Sequence, residues 1–133
     1  MFEQYSKNIA AIAVGAALGA LGRYGINLFV DSSFPLGTVI ENLTGSLVLG
    51  FLTAFFLVKI PKEWLKAGLG VGLCGGFTTM STFAADTVML LTDSLLKATL
   101  YICISSFGGV LLALGGYTIG NRIAASMVEV ESK

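Results

Sequence analysis

A chain of 133 residues that is 55% hydrophobic and 12% charged, with a mean hydropathy of +0.85, lies far below the roughly 25% charged share of a soluble domain and reads as a membrane protein. Its eight basic and eight acidic side chains cancel and form no basic block, which argues against nucleic acid as a partner and against a polybasic lipid patch. With no histidine, and with only Cys74 and Cys103 as thiols, no zinc or haem ligand set can be assembled, and both cysteines read as small buried hydrophobes.

Lys7 ahead of an apolar run imitates a secretory signal, but the run continues to Val30, beyond the roughly 7–15 residues of a signal's apolar core. A retained first span over about residues 7–30 is therefore expected, since about 22 residues at about 1.5 Å each cross a hydrocarbon core of about 30 Å. Gly15, Gly19 and Gly22, with Ala16 and Ala20 beside them, have the small-residue spacing that lets helices approach closely. Arg23 is the only charge in the apolar run, and two readings stand: its guanidinium snorkels outward, or it finds carbonyls and water inside an assembly.

Asp31 to Pro35 is a polar turn, and Pro35 suits an early position of the next helix, where its missing N–H costs nothing. The second span, about 34–58, carries Thr38, Asn42, Gly45 with Ser46, and Thr53 at three- and four-residue steps, so one face is polar and small. Asn42 offers donors and an acceptor where an unpaired amide is expensive; interhelical glue and a binding role both fit. Glu41 is a second polar group in this span, either a carboxylate near the headgroups or a protonated one.

After the charged connection 59–66, with Trp64 as an interface anchor, the third span, about 63–92, is expected to break between Gly75 and Met80. Adjacent glycines each lower helix propensity by about 1 kcal/mol relative to alanine. Thr78, Thr79, Ser81 and Thr82 follow, able to bond the backbone groups that a break frees. Non-helical backbone at membrane depth persists where protein buries it or where it lines a water-filled path, so the stretch points to an ion or substrate site; a packing kink is the plainer reading. The fourth span, about 95–121, places Tyr101 and Ser105 one turn apart, and the tail beyond Arg122 is expected to fray. Four spans without an internal repeat make one all-α domain over 1–133 with both termini on one side. Lys7, Lys59, Lys62, Lys66, Arg122 and Lys133 on that side, against Lys97 and Arg23 on the other, put the termini in the cytoplasm.

Three motifs, taken together, are specific: Gly19-Ala20-Leu21-Gly22-Arg23-Tyr24; Pro35-Leu36-Gly37-Thr38 with Asn42 and Gly45-Ser46; and Gly75-Gly76-Phe77-Thr78-Thr79 with Ser81-Thr82-Phe83. On these the chain resembles the bacterial fluoride channels of the CrcB/Fluc family over essentially its whole length. The resemblance implies a passive fluoride channel of the bacterial inner membrane that exports fluoride, built as an antiparallel dual-topology dimer with two pores. It implies a central structural sodium ion on the backbone carbonyls of Gly75 and Thr78. Asn42, Met80 and Phe83 would line the anion path, with Thr79, Ser81 and Thr82 near it, Tyr101 and Ser105 on the fourth helix, and Arg23 at a vestibule. The partner would be an inverted second copy, or alternatively a homologous chain, within the lipid bilayer. Met80 departs from the pattern, which usually has phenylalanine there; a thioether replaces a ring whose edge can meet an anion.

Two rival functions remain in view. A small proton-coupled multidrug exporter would need a titratable carboxylate deep in the first helix, which has none. A non-conducting membrane subunit would leave the aligned Asn42, Ser81, Thr82 and Tyr101 unexplained. No nucleophile with a base, metal set or phosphate loop suggests an enzyme.

Overall fold

The computed structural model describes residues 2–30 and 32–131 and is built of helices, with no strand among the described residues. Asp31 of the expected first turn and Lys133 of the basic count lie outside the described residues.

Helix α1 (Phe2–Phe29) begins more than a turn before the expected start. Glu3 in its first turn complements the helix dipole and takes an ion pair from Lys7 at 2.6 Å. Helix α2 (Leu36–Val58) follows. The third crossing comes in pieces: α3 (Glu63–Lys66), a π-helical segment (Ala67–Cys74) and α4 (Gly75–Phe77) run on continuously, Thr78 and Thr79 are extended, and α5 (Met80–Asp93) resumes. Ser94 then turns the chain into α6 (Leu95–Glu131). Helices α1, α2 and α6 are long and apolar enough to cross a membrane; the segment between α2 and α6, expected as the third crossing, is split into two half-helices. This is a multi-pass membrane protein.

The break is narrower than the residues 75–80 suggest. Gly75 and Gly76 stay helical, and only Thr78 (φ −77°, ψ 158°) and Thr79 (φ −145°, ψ 120°) leave the helix. Close packing is what Gly76 supplies: a Cβ there would run into the backbone carbonyl of Ala16 on α1. Likewise a Cβ on Gly15 would meet the Gly68 carbonyl, and one on Gly19 the Leu73 carbonyl, so the small face of α1 receives the first half of the third crossing. On the other side of the bundle α2 and α6 run parallel, with Leu43 against Gly108, Leu47 against Gly116 and Phe51 against Gly120.

The tail expected to fray is helical to Glu131. No glycine or proline follows Gly120, and alanine, methionine and glutamate there favour helix. At 37 residues, α6 is about 55 Å long against a hydrocarbon core of about 30 Å, so part of it extends beyond the bilayer.

Candidate functional site

The break is held by one side chain from the neighbouring helix. Asn42 Nδ2 donates to the Thr79 carbonyl at 3.0 Å, and Asn42 Oδ1 accepts from the Thr79 N–H at 2.8 Å. The amide thus pairs with both backbone groups of Thr79 much as a neighbouring strand would. Thr78 closes the preceding half-helix, its N–H and its hydroxyl each donating to the Cys74 carbonyl at 2.9 Å. Thr79 opens the next one as an N-cap, its Oγ1 accepting from the Thr82 N–H at 3.2 Å and lying 2.9 Å from the Thr82 hydroxyl. The hydroxyl-rich run that follows the glycines is therefore the capping chemistry of the break itself.

The break also takes the usual donors from carbonyls at the end of the first half-helix, that of Gly75 among them. In an unbroken helix the Thr79 N–H would go to Gly75, and here it goes to Asn42. Arg23 Nη1 donates to the Thr78 carbonyl at 3.5 Å, so of its two expected readings the inward one holds: the guanidinium faces the break. A groove of about 620 Å³ opens against these groups, lined by Asn42, Ser46, Cys74, Gly75, Thr78 and Met80 among others. Gly75 has nothing within 4 Å of where a Cβ would stand, and Met80 is 74% exposed.

A second cluster lies behind α5. Tyr101, fully buried, stacks on Phe83 at 5.2 Å between ring centroids and meets Phe34 edge-on at 5.8 Å. Its hydroxyl donates to Asp86 Oδ2 at 3.0 Å, and the Thr38 hydroxyl donates to the same oxygen at 2.7 Å. Asp86 also lines a crevice of about 240 Å³, with Asn27, Ser32, Gly37 and Thr82, beside the 30–35 turn. One turn further along α6 from Tyr101, the Ser105 Oγ is buried without a hydrogen-bond partner.

Residues 10–117 match the family model described as CrcB-like protein, Camphor Resistance (CrcB). The chain belongs to the CrcB family. Among its relatives is a protein of Halalkalibacterium halodurans named Fluoride-specific ion channel FluC 2, 52% identical over 123 residues and covering 92% of each chain. A Bacillus subtilis protein of the same name is 49% identical over 119 residues, covering 89% of this chain and 91% of its own. In Methanopyrus kandleri the Fluoride-specific ion channel FluC is 42% identical over 115 residues, covering 84% and 87%.

Of the residues singled out in this CrcB chain, the structure gathers Asn42, Gly75, Thr78, Thr79, Met80 and Arg23 at the break and its groove. Ser81 and Thr82 stand exposed on the first turn of α5, and Phe83 and Tyr101 belong to the second cluster. Tyr101 is not a free donor, because its hydroxyl is committed to Asp86. Asp86 was missed. Its signal was available, since an ionisable residue inside a span marks function by default, but in sequence it reads as one polar residue in a resuming helix.

Proposed function

We propose that this chain forms a passive, fluoride-selective channel that lets fluoride leave the cell across the bacterial inner membrane. The observation that carries the reading is the break itself: two extended residues inside an apolar crossing, paired by the Asn42 amide and opening on a groove. The fluoride-channel names of relatives that align over most of this chain supply the ion. Fluoride is small, strongly hydrated and a hydrogen-bond acceptor, so its path needs donors without fixed cations that would trap it. One N–H of Asn42, the hydroxyls of Thr79, Ser81 and Thr82, and the partnerless Ser105 hydroxyl provide them. Phe83 offers a ring edge, Met80 a softer wall at the groove, and Tyr101 a hydroxyl that fluoride would share with Asp86. Arg23 draws the anion to the mouth.

The working unit in this reading is an antiparallel dual-topology homodimer with two pores. The exposed, open side of Gly75 and the freed Gly75 carbonyl make half of a cation site. Two inverted copies bring the Gly75 and Thr78 carbonyls of each together, an all-oxygen set suited to sodium. Such an ion supplies fixed positive charge beside the anion path. Thr78 O shared with Arg23 is compatible with this at 3.5 Å, a contact long enough to yield.

A proton-coupled exporter is the second reading: α1 has no carboxylate deep in its span, but Glu41 on α2 is buried and Asp86 on α5 is hydrogen-bonded within the bundle. One assay separates the readings: purified protein in liposomes, with fluoride and chloride efflux followed by ion-selective electrodes. The channel reading expects fluoride efflux without a proton gradient and no chloride efflux. Equal passage of chloride, or a requirement for the gradient, would overturn it.

A further inference from the structure

Glu41 is, after Tyr101, the largest fully buried side chain among the described residues; it is 1% exposed, and the proposed path leaves it unused. Its Oε1 is sealed from solvent and has no hydrogen-bond partner. Around it stand Arg23 and Asn27 from α1, Asp86 from α5 and Tyr101 from α6, while Thr38 on its own helix is turned to Asp86. Gly37, one turn before Glu41, forms the partition between this oxygen and the crevice: a Cβ there would lie 2.6 Å from Asn27 Oδ1 and 4.0 Å from Glu41 Oε1. The two carboxylates therefore have unequal surroundings. Asp86 has two hydroxyl donors and an edge on the crevice, which suit an ionised group. Glu41 has neither: its Oε1 has no hydrogen-bond partner, and from α1 only the Asn27 amide and the Arg23 guanidinium stand near the carboxyl.

We propose that Glu41 is a neutral carboxylic acid, the proton-bearing member of a buried pair with Asp86, and that its proton keeps the floor of the crevice free of net negative charge. With the proton in place, Arg23 and Asp86 cancel. Without it the floor carries one net negative charge, and an anion entering by the crevice meets repulsion in a low-dielectric setting. A cation recruited from the crevice does not replace the proton, because Oε1 is inaccessible even to water. The consequence for conduction rests on the fluoride-channel reading; the protonation state does not.

The test uses the full-length protein in liposomes with 13C-labelled glutamate and infrared spectroscopy. Of the five glutamates, Glu3, Glu63 and Glu129 are exposed; a protonated-carboxyl C=O band that shifts with the label at neutral pH is expected, and its loss in Glu41→Gln, but not in Glu131→Gln, assigns it to Glu41. Glutamine is the neutral isostere, so this variant should keep fluoride efflux within about threefold of the parent, whereas the parent's efflux should fall as rising pH removes the band. Absence of a label-sensitive acid band in the parent would overturn the proposal. So would failure of Glu41→Gln to fold, or a loss of efflux beyond about tenfold, since that is what removing a carboxylate paired with Arg23 would do. The infrared result stands whether or not the chain conducts fluoride, so the two readings fail separately.

Discussion

Asn42 spends both ends of its amide on a single residue, and that changes what its replacement measures. Aspartate removes the donor to the Thr79 carbonyl and sets an acceptor against another acceptor; alanine leaves the Thr79 N–H and carbonyl both unpaired. Each is expected to destabilise the folded protein by about 1–3 kcal/mol as well as to reduce fluoride efflux, so thermal unfolding must be followed beside flux. Lost efflux with unchanged stability would assign the amide to the anion and not to the break. At position 80 the two functions do not overlap. Met80 is 74% exposed in the groove, so Met80→Phe meets no packed core and replaces a flexible thioether by a ring with a positive edge. Efflux equal to or above that of the parent is expected; complete loss would mean that this wall is not the one fluoride passes.

At the scale of the element, glycine positions that look alike in sequence have opposite roles. A Cβ on Gly116 would collide with the backbone carbonyl of Leu47, which cannot swing away, whereas Gly115 has nothing within 4 Å. Gly116→Ala should therefore push α2 and α6 apart and destabilise by about 1–3 kcal/mol or more, while Gly115→Ala should be neutral or stabilise by up to about 1 kcal/mol through helix propensity. Unfolding of the two variants in detergent checks the contrast, and equal effects would refute the packing register. The same distinction explains what the sequence could reveal. Long apolar runs bounded by Pro35, Lys59 and Thr92-Asp93 make the helices legible, and the hydroxyl run after Gly76 locates the break to within a few residues. The pairing of α2 with α6 was not legible, because small residues occur on every helix and nothing in one chain says which faces meet. The π-helical segment 67–74 left no trace either, since a glycine-rich apolar stretch has no periodicity to shift. Asp86 became a site residue only when the fold brought Thr38 and Tyr101 to it from two other helices.

For the whole molecule, the face that matters most is left open. The groove at the break, the bare side of Gly75, and exposed Val71 and Met80 form one surface. Exposed polar backbone is costly in lipid, so this surface demands a protein partner or water. An identical chain inverted in the membrane supplies a two-fold related break, and so doubles the carbonyls that face the groove. Equal insertion in both directions is opposed by the lysines of the terminal side, and Lys59, Lys62 and Lys66 all cluster at the start of the third crossing. An oppositely biased homologous partner is the alternative that this charge count favours. The two are separated by expressing the chain alone with Cys74 and Cys103 replaced, adding single cysteines at Gln4 or Ser33, and cross-linking in membranes. Gln4 lies at the α1 start beside Glu63, and Ser33 lies in the turn before α2, at opposite ends of the bundle. Links from Gln4 of one copy to Ser33 of another, in protein that still passes fluoride, are expected for the inverted homodimer. Links only between like positions, or efflux that appears only with a second gene product, would sink it.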